Sequence, residues 1–306
     1  MIKHTPVLQK EVIETLAPKP NQNFIDATLG LGGHAKLILK KIAPGGHLLG
    51  IEWDENALEE AKKNLAEFAE RFQYFNGNFT ELGLIVRDWK VKEINGILID
   101  LGPSTYQLTD ETRGFTFKKD SPLDMRQDRT QNLTAYDIVN NFSEKEIRDI
   151  LYEGEEKFAK QIARSIVENR KNPIKTTFQL VDIIKFATPP SYRYDRHTNI
   201  ATGTFRSLRM AVNHELDNLK KVLPQAVSIL SPGGPARNAS QRVAGGRLAV
   251  ISFHSLEDRI VKHFYQDNIN LQILTKKPIV ASEEEVKENP SSRSAKLRAV
   301  IKVGGN

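Results

Sequence analysis

Apolar residues recur in two alternating rhythms along the first hundred positions. Short continuous runs over 24–27, 47–51, 73–75 and 97–100 read as strands, and helical periodicity covers 9–16, 35–42 and 56–72. In the last of these, Ala57, Leu58, Ala61, Leu65 and Phe68 form one apolar stripe. Strand and helix in alternation predict an α/β fold, a parallel sheet covered on both faces. The rhythm changes over 106–205, where no convincing sheet strand is found. One helix there opens on the capping box of Ser143 and Glu146, and another carries the stripe Phe158, Ile162, Ile166 and Val167. After it, 205–230 reads as helix, 247–253 as a buried strand, 256–265 as helix, and 271–274 with 297–303 as a closing strand pair. The expected organisation is one α/β domain from 1–105 and 206–306, interrupted by an inserted all-helical domain at 106–205. The stretch 232–246, with two Gly-Gly pairs, reads as an extended loop, and 282–294 as a polar, mobile segment. No internal repeat is found.

Chemistry enters at IDATLGLGGHA, residues 25–35, where an apolar strand ends in an acid and opens into a glycine-dense turn. Gly30, Gly32 and Gly33 permit unusual backbone angles and close ligand approach, and the helix that follows turns its first N–H groups to the ligand. Gly30, Gly32 and Ala35 satisfy the loose dinucleotide pattern, and Glu52 closes the next strand about 20 residues on, where an acid grips ribose hydroxyls. By that test NAD fits. Two carboxylates favour S-adenosylmethionine instead: Asp26, inside the strand before the turn, suits a cationic methionine group better than a pyrophosphate, and Asp100 ends a later strand on a Gly-Pro turn. The alternative is a set of tight strand-to-helix turns with no ligand.

Charge and composition narrow the partners. Of the net +6, residues 1–105 hold 12 basic and 14 acidic side chains, 106–205 hold 16 and 15, and 206–306 hold 16 and 9. The basic excess of the last third suggests a polyanion, with Arg237, Arg242, Arg247, Arg293, Lys296 and Arg298 in segments where side chains reach outward. Cysteine is absent, which excludes disulfides, thiolate metal sites and the cysteine nucleophile of cytosine-C5 methylation. No long apolar run or signal-like N-terminus is found, so the expectation is a cytoplasmic protein with no membrane partner. Ser252, His254, Ser255 and Asp258 superficially suggest a hydrolase, but they crowd into one turn with no nucleophile elbow. His34 has no second histidine at metal-ligand spacing, so no metal is expected.

The chain closely resembles the bacterial S-adenosylmethionine-dependent 16S ribosomal RNA cytosine-N4 methyltransferases, the small-subunit methyltransferase H type. The residues that carry the resemblance are HTPVL at 4–8, DATLGLGGHA at 26–35, IDLG at 99–102, RGFTF and SPLDMR within 113–126, GEEKFA at 154–159, TFRSLRMAVNHEL at 204–216, GGRLAVISFHSLEDRIVK at 245–262 and NPSSRSAKLR at 289–298. The resemblance implies a class I, Rossmann-like methyltransferase sheet with a helical insertion, acting on a cytidine of the decoding region within the small subunit or its assembly intermediate. It implies cofactor contacts at Gly32, Gly33, His34, Glu52, Phe79, Asp100 and Gln107, with Glu52 standing where aspartate is usual. Pro103, Thr105 and Tyr106 depart from the family's loop, Gly203 replaces a usual arginine, and 235–246 is an insertion carrying Arg237 and Arg242.

Exocyclic amine methylation needs the lone pair localised rather than a strong base. Asp100 is placed to accept the amine's hydrogens, Tyr106 or Phe253 to stack on an unstacked cytosine, and His254 to line the substrate mouth. For both rings the ordinary alternative is core packing. The competing readings are a non-catalytic RNA-binding assembly factor and an NAD-dependent oxidoreductase; a homodimer is left open.

Overall fold

The computed structural model describes residues 5–193, 199–233 and 245–304 and divides the chain into two units, Met1–Gly102 with Leu216–Asn306, and Pro103–Glu215. In the first, chain order runs α1 (Gln9–Leu16), β1 (Phe24–Asp26), α2 (Gly33–Lys41), β2 (Leu48–Glu52), α3 (Glu55–Asn64), β3 (Phe72–Asn76), α4 (Leu82–Asp88) and β4 (Gly96–Asp100). The second contributes α5 (Thr105–Thr109), α6 (Ala135–Asn141), α7 (Glu144–Glu153), α8 (Ala159–Asn169), α9 (Thr177–Ala187), α10 (Pro190–Arg193) and α11 (Thr202–Asn213). The chain then returns to the first unit with α12 (Glu215–Ile229), β5 (Arg247–Ser252), α13 (Ser255–Asp267), β6 (Leu271–Ile273), β7 (Ile279–Val280), α14 (Glu283–Glu288) and β8 (Lys296–Lys302).

The sheet order is β3-β2-β1-β4-β5-β8-β6, with β7 beside β8. The strands from β3 to β5 pair in parallel; β8 is antiparallel to both β5 and β6. Period-two alternation sends neighbouring side chains to opposite faces, and here both faces are buried. Phe24, Leu48, Leu98, Ala249 and Ile251 join one core with Val12, Leu16, Leu39 and Leu58. Ile25, Leu49, Ile97, Ile99, Leu248 and Val250 join the other with Leu82, Leu219, Val222 and Val261. This explains the unbroken apolar runs of the inner strands. Among the described residues no helix is long and apolar enough to cross a membrane.

Several boundaries differ from the sequence expectation. The helix read over 56–72 ends at Asn64 and gives way to a 3-10 turn at Ala66–Phe68, because Leu65 turns off the helical path to fill the core. Helix α4 was not expected, since its apolar run LGLIVRD is short. The long helix read over 205–230 is broken by His214 in the left-handed region, φ 51°. Phe205, Leu208 and Val212 of α11 enter the core of the helical unit with Ile147, Leu151, Ile162, Ile166 and Leu180. The helical unit accordingly spans 103–215, beside the 106–205 read from the sequence. The 235–246 insertion, with Arg237 and Arg242, lies outside the described residues except for Gly245 and Gly246.

Gly96 opens β4 directly beside the Phe24 ring: a Cβ there would lie 2.2 Å from Phe24 Cε1. Gly96→Ala is expected to overpack the sheet centre and cost about 1–3 kcal/mol, read as a lower urea midpoint. An unchanged midpoint would mean that the Phe24 ring has room to move.

Candidate active site

Parallel pairing of β2, β1 and β4 places their last residues, Glu52, Asp26 and Asp100, at one carboxyl edge of the sheet. The strand order reverses direction between β1 and β4, the switch point at which open α/β sheets bind ligands. Thr28 fixes the junction, its Oγ1 accepting from Asp100 N at 2.6 Å, and Leu101 N donates to Ile251 O at 2.9 Å. After β1 the chain passes through Gly30 and Gly32 at φ 53° and 80°, in the region that disfavours other residues, and enters α2. Gly33 is different. Its φ is ordinary, and it is glycine because a Cβ would meet Pro6 Cγ at 2.4 Å.

Asp26 and Glu52 are desolvated, and Asp100 is partly so. Asp26 is 1% exposed and its pKa is pushed up to about 6, chiefly by burial, with Asp100 adding to the rise and His34 and backbone N–H groups of Thr28 and Ala35 opposing it. Glu52 is pushed up to about 7, again chiefly by burial, although Asp54 N at 2.9 Å and Gly30 N at 2.8 Å donate to its two oxygens. His34 Nε2 stands 3.6 Å from Asp100 Oδ2, too far for a hydrogen bond. Both His34 ring nitrogens and Asp100 Oδ1 are buried without a hydrogen-bond partner. A site with surplus buried carboxylate, unused polar atoms and a glycine turn fits a ligand that carries positive charge and hydrogen-bonding groups, as S-adenosylmethionine does.

The other expected positions fall on both units. Phe79 follows β3 on a 3-10 turn, with its ring 6.4 Å from that of Trp53, the residue after Glu52. Trp53 was not singled out from the sequence, although an aromatic directly after a strand-ending acid is a usable signal. Gln107 and Tyr106 belong to α5 in the helical unit. Gln107 is buried, and its Oε1 accepts from Ser104 N at 3.0 Å in a capping box, so that oxygen serves the helix start. Tyr106 is partly exposed.

His254 is the N-cap of α13. Its Nδ1 accepts from Glu257 N at 3.4 Å, its Nε2 lies 3.2 Å from Glu257 Oε1, and Glu257 Oε2 accepts from Phe253 N and His254 N. His254 is buried and caps α13 through Nδ1, while its Nε2 has no hydrogen-bond partner. Two arginines expected to reach outward are also structural: Arg298 forms a two-pronged pair with Asp258 at 2.6 and 3.1 Å, and Arg247 donates to Thr15 O. Arg293 is exposed.

A model of the MraW methylase family matches residues 1–303. A ribosomal RNA small subunit methyltransferase H from Kosmotoga olearia is 44% identical over 304 residues, covering 98% of this chain and 97% of its own. The protein of that name from Thermotoga neapolitana is 44% identical over 308 residues, covering 99% and 98%. Its counterpart from Nostoc punctiforme is 45% identical over 301 residues, covering 98% and 94%.

The raised carboxylates have a pH signature. Because folded Glu52 holds its proton up to about 7 against an ordinary 4.5, its contribution to stability is present below pH 4.5 and lost as pH rises through about 7. Glu52→Gln should therefore gain on the wild type by about 3 kcal/mol between pH 4.5 and pH 8 in urea unfolding without ligand. A difference that does not vary with pH would contradict the burial argument.

Proposed function

The chain belongs to the MraW methylase family, and from that footing we propose that it methylates the exocyclic N4 amine of a cytidine in the decoding region of 16S ribosomal RNA, using S-adenosylmethionine. The observation that carries the reading is the set of strand-ending carboxylates at the switch point, with buried Asp100 Oδ1 left without a partner. S-adenosylmethionine supplies a methyl group made electrophilic by its sulfonium charge.

The chain's own residues do the rest. Asp26 and Asp100 make the pocket favourable for positive charge, and Glu52 is the acid for ribose hydroxyls. Gly32, Gly33 and His34 form the turn beside them, with Phe79 and Trp53 the nearby rings. Asp100 accepts a hydrogen of the cytosine amine, which concentrates the nitrogen lone pair toward the methyl group. Its backbone is held by Thr28 and β5, so the acceptor is fixed before the substrate arrives. Catalysis is alignment and electrostatics, and the product ammonium, being strongly acidic, sheds its proton without a dedicated base.

The helical unit, Pro103–Glu215, is assigned to recognition of the RNA, which is met in the small subunit or its assembly intermediate in the cytoplasm. The relatives' names, which specify ribosomal RNA and a methyltransferase, support this reading over both the oxidoreductase and the non-catalytic assembly factor.

Incubation with labelled S-adenosylmethionine and small subunits lacking this modification, followed by digestion and mass identification, is expected to yield N4-methylcytidine. Label in a different nucleoside would overturn the assigned target. In the same assay Asp100→Ala should reduce methyl transfer roughly a hundredfold to a thousandfold, with cofactor affinity changed less than about tenfold. Full activity in that variant would remove Asp100 from the mechanism.

A further inference from the structure

The C-terminal segment, read from sequence as a polar mobile stretch, is ordered against the other end of the chain. Helix α14 is capped by Ser282 Oγ, which accepts from Glu285 N at 3.1 Å. From it the Glu285 carboxylate reaches back 277 positions to accept from Leu8 N at 2.6 Å. Asn289 Nδ2 donates to Thr5 O at 2.9 Å, and Asn289 O in turn receives Ser292 N and the fully buried Ser292 Oγ. Both ends of the segment are anchored in the sheet, since β7 pairs with β8 and Ile279 and Ala281 pack on the core that holds Val7 and Leu8.

What is tied down is unusual in two ways. Leu8 is fully buried in the left-handed region at φ 50°, a conformation that a leucine keeps only when its surroundings enforce it. Two residues earlier, buried Pro6 occupies the space where a side chain at Gly33 would stand. The strained segment therefore seats a rigid ring on the first residue of α2, and the acid that satisfies the buried Leu8 amide comes from the far end of the sequence.

We propose that Glu285 and Asn289 are positioning residues for the cofactor turn, holding residues 5–8 so that Pro6 fixes the start of α2 at Gly33. The inference rests on reading Gly32, Gly33 and His34 as the turn that meets S-adenosylmethionine. Its chemistry is that of a charge-assisted hydrogen bond in a partly buried setting: removing the acceptor strands the Leu8 amide and releases the strained segment.

The test uses the full chain with Glu285→Ala, Glu285→Gln and Asn289→Ala. Binding of S-adenosylmethionine is measured by calorimetry, and amide hydrogen exchange of residues 5–12 and 31–37 is measured without cofactor. Glu285→Ala is expected to weaken binding about tenfold and to speed exchange in both windows. The exchange of α7 and α11 in the helical unit should stay unchanged. Glu285→Gln, which retains an oxygen acceptor, should return affinity to within about twofold of wild type. Asn289→Ala should show the same pattern as Glu285→Ala with a smaller loss.

A lowered unfolding temperature with unchanged affinity and unchanged exchange at 31–37 would overturn the proposal and leave the tie a purely structural one. Failure of the wild type itself to bind would instead defeat the cofactor reading, while the exchange data would still decide whether Glu285 holds the turn.

Discussion

The structure is organised around a cost: Asp26 and Glu52, at the ends of adjacent parallel strands, are withdrawn from water, with no lysine or arginine paired to either among the described residues. An ionised carboxyl in such a setting is unfavourable by several kcal/mol unless it is paired or richly hydrogen-bonded. Asp26 and Glu52 are only partly compensated by backbone amides, and both hold their protons well above the ordinary range. The surrounding features answer to them: the positive-φ glycines bring backbone close, the Ala35 N–H in the first turn of α2 is directed toward Asp26, and Thr28 locks the strand that carries Asp100. A site that ionises its acids only at a cost is suited to a ligand that arrives with positive charge.

The rest of the first unit is a scaffold that holds this edge still. Side chains of the inner strands alternate between two buried cores, so a slip of one residue in register would move acids and apolar groups to the wrong places at once. Residues 5–8 and 285–289 meet beside the glycine turn, where Glu285 and Asn289 engage Leu8 and Thr5. The helical unit has its own core and its own network, in which Asn213 accepts from Gln127 N and donates to Met125 O.

What the sequence revealed depended on how local the physics is. The strand, acid and glycine turn at residues 25–35 were legible because one short stretch carries all three signals, and Glu52 and Asp100 because each ends an apolar run. The end of α3 was not, because apolar periodicity continues through Leu65 and Phe68 although the backbone has left the helix. The break at His214 was hidden for the same reason, since α11 and α12 bury their stripes in different cores. That His254 caps a helix was not legible because histidine is seldom a helix cap; Glu257, three residues on, was the signal. Arg298 looked like a free basic group because its partner Asp258 lies 40 positions away, and residues 282–294 looked loose because their partners lie at the opposite terminus.

The central claim is that protonated, desolvated carboxylates are made to ionise when a positively charged nucleoside binds. Calorimetric titration with S-adenosylmethionine at pH 6.5, in two buffers of different ionisation enthalpy, measures this directly. The account predicts binding with net release of about half a proton to one proton, as Asp26 and Glu52 lose the protons that burial forced on them. Binding with no proton exchange, or with net uptake, would contradict it.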